Sequence, residues 1–114
     1  MDLREINLEE GMPTVDTAMT GMKFSLRSAK ANGETAVKLI HGYGSSGKGG
    51  KIKQAVQVEL AKMKAAGTIR EFIRGEDFSP FSESGRTLLT CCPASAKDHD
   101  YSRSNCGITI VLLR

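Results

Sequence analysis

Aromatic residues and long apolar runs are both scarce in this sequence. Aromatic side chains make up 5% of the 114 residues, which argues against an extended platform on which many bases of a single strand would stack. No apolar run reaches the length of about 18 residues that a membrane-spanning helix needs, so no membrane partner is expected. With 39% apolar and 25% charged residues, the composition is that of one soluble globular domain with a single modest core.

Cysteine is sparse and odd in number. The first residues, Met1-Asp2-Leu3-Arg4-Glu5, lack the basic start and apolar block of a secretory signal. We therefore expect a cytoplasmic protein in which the cysteines stay reduced. Cys91, Cys92 and Cys106 could form a zinc site with His99, but adjacent cysteines cannot easily occupy two corners of one tetrahedron. No metal site is predicted from them.

Acidic residues are absent between Thr35 and Val58, where four lysines lie. The stretch begins with the strand-like run 36–40, continues after His41 as a glycine-rich loop and enters a lysine-rich helical pattern. Glycines let backbone N–H groups approach a phosphate, and the positive end of the helix dipole adds to the attraction. Alternatively, the lysines form only a solvated helix face. The predicted phosphate- or nucleic-acid-binding residues are Gly42, Tyr43, Gly44, Ser45, Ser46, Gly47, Lys48, Lys51 and Lys53.

Hydrophobic periodicity predicts six regular elements. In chain order they are strand, helix, strand, helix, strand and a final strand, at about residues 3–8, 14–31, 35–41, 50–66, 69–73 and 107–113. The first helix carries an apolar stripe at spacings of four, three and four, and Thr14 is its predicted N-cap. Short connections and right-handed crossovers favour an α/β sheet with both helices packed on it.

Residues 74–106 follow no single period. The stretch 75–81 is typical of a turn or loop held by two rings, Phe78 and Phe81. Residues 85–90 fit a short strand or a helical turn, and the pattern does not choose between them. The polar run 93–105 is predicted to be a surface loop.

Several motifs together resemble the Smr domain, the small MutS-related module. They are the loop His41-Gly42-Tyr43-Gly44 after a strand, the basic helix behind it, the segment Thr14-Val15-Asp16-Thr17-Ala18-Met19 and the closing Gly107-Ile108-Thr109-Ile110-Val111-Leu112. The resemblance implies one Smr-like domain over residues 1–114, with an insertion at about 74–106. The implied fold is a βαβαββ two-layer α+β sandwich with a mixed four-stranded sheet and two helices, like the C-terminal domain of translation initiation factor three. The implied activity is binding or nicking of DNA or RNA.

One motif departs from this family. The family's Asp-Leu-His-Gly at the end of the first strand is here Asn7-Leu8-Glu9-Glu10-Gly11, so the Asp and the His are absent and Glu10 is extra. If the chain is an endonuclease, its candidate catalytic residues are His41, Glu9 and Glu10, and the glutamates could hold a Mg²⁺ ion near the phosphate. Alternatively, His41 bonds a backbone carbonyl and shapes the loop, and both glutamates are simply solvated.

Two further functions stay open. Gly42 to Lys48 matches the GxxxxGK pattern of nucleotide-binding P-loops, although Gly49 stands where a magnesium-binding Ser or Thr is required. A protein-interaction module that uses residues 74–106 is the other, because exposed Phe78 and Phe81 would need a partner. The sequence does not distinguish DNA from RNA, and it does not predict the oligomeric state.

Overall fold

Strands and helices alternate along the chain in the computed structural model, which describes residues 3–11, 14–42 and 48–114. The elements are β1 (Arg4–Asn7), α1 (Val15–Ala31), β2 (Ala36–Ile40), α2 (Lys48–Ala65), β3 (Ile69–Arg74), α3 (Glu83–Cys91) and β4 (Ile108–Leu113). Two short 3₁₀ turns, Gly75–Asp77 and Pro93–Lys97, lie on either side of α3. All six elements predicted from periodicity are present, with bounds that differ by at most two residues.

The last strand of the chain lies in the interior of the sheet. The strand order is β1-β2-β4-β3, in which β1 and β2 are parallel and β4 is antiparallel to both of its neighbours. Every residue of β4 is buried, which suits its run of β-branched and aliphatic side chains. The predicted mixed four-stranded sheet of an α+β fold is therefore confirmed.

Helices α1 and α2 cover one face of this sheet. Met22 of α1 and Leu60 of α2 are fully buried in one cluster with Val37 of β2, because the apolar residues of each helix recur on a single side. The hydroxyl of Thr14 accepts a hydrogen bond from the N–H of Thr17 at 3.1 Å, which confirms the predicted N-cap. Among the described residues, no helix is long and apolar enough to cross a bilayer.

The segment after β3 covers the opposite face. Its helix, α3, is capped by Ser82, whose hydroxyl accepts a hydrogen bond from the N–H of Gly85 at 2.9 Å. Leu88 of α3 and Phe78 are buried in one cluster with Ile110 of β4. Where the sequence pattern allowed a strand or a helical turn, the capped start and the apolar face of α3 produce a helix.

The two Phe rings of this segment have different environments. Phe78 is 1% exposed, and its ring meets that of Tyr101 edge-on, with 5.4 Å between the centroids. Phe81 is 89% exposed. The prediction that both rings hold the loop is confirmed for Phe78 and wrong for Phe81, which lies in the turn before α3 and points into solvent.

A buried lysine changes the interpretation of the polar run 93–105. Lys38, in the middle of β2, is 2% exposed, and its ammonium lies 2.9 Å from Asp98 Oδ1 and 2.7 Å from Asp100 Oδ2. Ser95 and Asp100 are themselves buried. The surface-loop prediction is wrong for these residues, because a buried ammonium requires carboxylate partners and this run supplies them.

Candidate functional site

Three segments meet at one edge of the sheet, namely the ends of β1 and β2 and the start of β4. Because β1 and β2 are parallel, their carboxyl ends lie together, and the N–H of Leu8 donates to the carbonyl of Ile40 at 2.8 Å. The N–H groups of His41 and Gly42 both donate to the carbonyl of Gly107 at 3.0 Å. The end of β2 is thus held on both sides, and functional residues of open sheets commonly collect at this edge.

The imidazole of His41 is fully buried beneath this edge. Its Nε2 lies 2.8 Å from Oγ1 of Thr109, and its Nδ1 lies 2.6 Å from the carbonyl oxygen of Gly42. A carbonyl oxygen can only accept a hydrogen bond, so Nδ1 carries the proton and the Thr109 hydroxyl donates to Nε2. Both ring nitrogens are therefore engaged inside the protein.

Burial also sets the charge of His41. It lowers the pKa of His41 below its ordinary value, and the positive charge of Lys53 lowers it further. The hydrogen bond to Gly42 and the carboxylates of Glu76 and Glu9 oppose this shift without cancelling it. The imidazole is accordingly neutral at pH 7 and adds no positive charge to the site.

Glu9 lies directly against the first glycine of the loop. Gly42 has a φ of +76°, a conformation that favours glycine, and a side chain at this position would collide with the carboxylate of Glu9. The N–H of Glu9 donates to Oδ1 of Asn7 at 2.9 Å, which forms a turn at the end of β1. The two residues that depart from the family motif, Asn7 and Glu9, therefore shape the approach to Gly42.

The second glutamate has a different location. Glu10 is exposed and lines a small groove between β1 and α1, together with Thr17 and Gly21. The structure thus brings Glu9 to His41 and Gly42, whereas Glu10 faces α1. A catalytic role for any of the three predicted residues stays a prediction.

The lysines of the acid-free stretch do not form one patch. Lys38 is buried on the opposite face of the sheet from α2 and is neutralised by Asp98 and Asp100. Lys53 of α2 is close enough to His41 to affect its pKa, and its ammonium lies 3.1 Å from Oε2 of Glu76. Two of the four lysines are therefore paired with carboxylates that come much later in the chain.

Lys51 is exposed and lines the outer groove between α1 and α2. Lys48 is the first residue of α2, and the first turn of this helix contains no acidic residue. The side chain of Lys48 and the loop 43–47, with Tyr43, Gly44, Ser45, Ser46 and Gly47, lie outside the described residues. The same holds for most of the P-loop-like match.

Two residues of this site were not predicted from the sequence. Thr109 is the polar residue of an otherwise aliphatic strand, and that contrast was a signal that it serves a buried group. It pairs in register with Leu39 of β2, two residues before His41. Glu76 carries no comparable signal, because only the folding of the turn after β3 places it next to Lys53.

Few side chains among the described residues are placed to bind a metal ion. In residues 3–11, 14–42 and 48–114, no three His, Cys, Asp or Glu side chains converge as a metal site would require. Glu9 is one carboxylate close to the glycine loop, and Mg²⁺ usually takes one or two carboxylates together with substrate phosphates. A role for Mg²⁺ stays a prediction that depends on bound phosphate.

Comparison with known proteins identifies a solved structure with a similar fold. No protein-family model and no curated protein matches this sequence. Among solved structures, the chain is similar to the Smr domain of MutS2 from Thermus thermophilus, with 22% sequence identity and a TM-score of 0.61. The match covers 98% of this chain and 99% of that one. The chain therefore has the fold of an Smr domain, carried by a divergent sequence.

Proposed function

We propose that this domain binds the phosphate backbone of a nucleic acid, DNA or RNA, where β2 passes through the glycine loop into α2. The observation that carries the proposal is the path of the chain. The buried His41 directly follows β2, Gly42 has a positive φ, and α2 begins at Lys48 with no acidic residue in its first turn. The first N–H groups of a helix and its dipole attract anions at this position.

Lysine side chains add sequence-independent attraction. Lys48, Lys51 and Lys53 all lie in the first two turns of α2. Lysines near a phosphate backbone release condensed counterions on binding, and such contacts carry no base information. We therefore expect backbone or shape recognition, with the proposed contacts at Gly42, Tyr43, Gly44, Ser45, Ser46 and Gly47 in addition to the lysines.

His41 serves this site as a positioning residue. Its proton on Nδ1 holds the Gly42 carbonyl, and its Nε2 is held by the Thr109 hydroxyl. This arrangement fixes the direction in which the chain leaves β2. A cleavage step by His41 would need a ring nitrogen that reaches the substrate, whereas both nitrogens are engaged and the ring is buried. Binding is therefore the proposed function, and nicking is the alternative that a plasmid cleavage assay tests.

The test is a binding measurement over a range of salt concentrations. Fluorescence anisotropy of labelled duplex DNA, single-stranded DNA and an RNA hairpin is recorded between about 50 and 200 mM salt, the range over which phosphate-dominated binding weakens strongly. The double variant Lys48→Ala, Lys51→Ala should bind more weakly and reduce the slope of log K against log salt by about 1.8 on duplex DNA, because two phosphate contacts are lost.

A matched control removes the same charge elsewhere. Lys30 and Lys62 are exposed in the last turns of α1 and α2, and the double variant Lys30→Ala, Lys62→Ala has the same net charge as the test variant. Its affinity and salt slope should remain close to those of the unmodified protein. Equal effects of both double variants would contradict a localised site, and absence of binding by the unmodified protein would refute the proposed function.

A further inference from the structure

We propose that the carboxylate of Glu76 competes with the ligand for Lys53. It forms an ion pair with the Lys53 ammonium, which would otherwise bind a nucleic-acid phosphate. This inference rests on the proposed function and adds a residue that limits affinity at the same site. Glu76 lies in the 3₁₀ turn Gly75–Asp77 that follows β3.

The contact between the two residues is direct. Nζ of Lys53 lies 3.1 Å from Oε2 of Glu76, and the two side chains are 19% and 34% exposed. A carboxylate oxygen and a phosphate oxygen offer an ammonium the same kind of charged acceptor. Because solvent reaches both partners, an incoming phosphate can reach Lys53 as well, and it must then displace Glu76.

The turn that carries Glu76 is fixed to the rest of the domain. Gly75 is buried, and a side chain there would collide with the backbone carbonyl of Asn105. Asp77, at the other end of the turn, accepts a hydrogen bond from Arg74 at 3.0 Å. The backbone of Glu76 therefore stays close to Lys53, and only its side chain has to rotate when a phosphate competes.

The charge state of Glu76 is consistent with this role. Partial burial raises the pKa of Glu76, but a hydrogen bond with its own backbone and the charge of Lys53 outweigh it and leave the pKa below the ordinary value. The carboxylate is thus ionised wherever nucleic-acid binding would be measured near pH 7. It reduces the positive charge that the start of α2 presents to a phosphate.

The test compares two matched glutamine variants. Glu76→Gln removes the competing charge and frees Lys53, whereas Glu34→Gln frees Arg4 from a similar surface pair of 2.9 Å at the opposite end of the sheet. Both variants change the net charge by the same amount. We expect Glu76→Gln to bind labelled duplex DNA or an RNA hairpin roughly two- to fivefold more tightly. The free energy of one exposed ion pair changes an equilibrium constant by about this factor. Its salt slope on duplex DNA should stay the same, because Lys53 contacts a phosphate in both proteins once Glu76 has been displaced. Glu34→Gln should change neither quantity.

A second comparison tests whether Lys53 is the residue released. On a Lys53→Ala background, the gain from Glu76→Gln should be smaller, because only the repulsion between Glu76 and a phosphate is relieved and no ammonium is freed. If the gain is undiminished on that background, or if Glu34→Gln produces the same gain, Glu76 does not compete for Lys53. If Glu76→Gln binds like the unmodified protein, the inference fails while the proposed function stands. If none of the proteins binds any probe, both fail.

Discussion

The ammonium of Lys38 lies 2.7 Å from Oδ2 of Asp100, although the two residues are 62 positions apart in the chain. Asp98 Oδ1 is 2.9 Å from the same ammonium, and the amide of Asn105 donates to the other carboxylate oxygen of Asp100 at 3.0 Å. This buried cluster ties the middle of β2 to the segment that precedes β4. It fastens the covering segment to the sheet and removes Lys38 from the positive surface.

Replacing the central cation should destabilise the fold strongly. Lys38→Met leaves the carboxylates of Asp98 and Asp100 buried without their cation, and loss of one partner of a buried pair lowers the free energy of unfolding by about 3–5 kcal/mol. Lys64→Met is the matched control, because Lys64 pairs with Glu71 at the surface and such pairs contribute about 0–1 kcal/mol. Urea unfolding at pH 7 measures both, and equal losses would contradict a special role for the buried cluster.

The contribution of this cluster should depend on pH. Burial raises the pKa of Asp100, but the hydrogen bonds and charge of Lys38 and the hydrogen bond from Asn105 outweigh it, so the pKa lies below its ordinary value. A carboxyl group with a lowered folded pKa adds stability above its unfolded pKa of about 3.9, and this stability is lost as the pH falls through the folded pKa. The difference in unfolding free energy between the unmodified protein and Asp100→Asn should therefore shrink below about pH 4. A constant difference down to pH 2 would count against the pairing.

His41 should titrate below its ordinary range. Because burial lowers its pKa in the folded protein, the unfolded chain binds a proton first as the pH falls below about 6.5, and stability should decline from there. Imidazole ¹⁵N NMR should show a proton on Nδ1 at pH 7 and a titration midpoint below about 6.5. A midpoint above that value would contradict the dominant effect of burial on the ring, and a proton on Nε2 at pH 7 would contradict the hydrogen bonds with Gly42 and Thr109.

The contact between Glu9 and Gly42 can be separated from backbone strain. Gly33 has a φ of +75° with no atom within 4 Å of an added Cβ, whereas Gly42 has a φ of +76° and faces Glu9. Gly33→Ala should lose only about 1–2 kcal/mol of unfolding free energy, from the left-handed conformation. Gly42→Ala should lose a similar amount, because the atoms in the way belong to the end of the flexible, exposed side chain of Glu9, which can rotate aside. A clearly larger loss at Gly42 that adding Glu9→Ala recovers would show instead that Glu9 is held in place.

Plasmid cleavage is the remaining test of the catalytic prediction. We expect no nicking of supercoiled plasmid with Mg²⁺, because both ring nitrogens of His41 are engaged and Glu10 faces α1 rather than the glycine loop. Gel electrophoresis of plasmid incubated with the unmodified protein, His41→Gln and Glu9→Gln measures this. Nicking that disappears in a folded His41→Gln or Glu9→Gln variant would restore a catalytic assignment for that residue.

Local sequence patterns determined the regular elements of this protein. Strand and helix periods and the Thr14 cap depend on neighbours within a few residues, so they were predictable, with element bounds accurate to two residues. The final strand was also predictable, since its β-branched run is buried on both faces. The same local pattern predicted that β2 leads through His41 into a lysine-rich helix.

The tertiary structure decided which charged and aromatic groups meet. Lys38 is paired with Asp98 and Asp100, and Lys53 with Glu76, because the segment after β3 returns across the sheet before β4 inserts between β2 and β3. The absence of acidic residues between Thr35 and Val58 therefore predicted more positive charge at the surface than Lys38 and Lys53 provide. These partners depend on strand order and on the path of a long connection, and both follow from packing across the whole sheet rather than from neighbours in the chain.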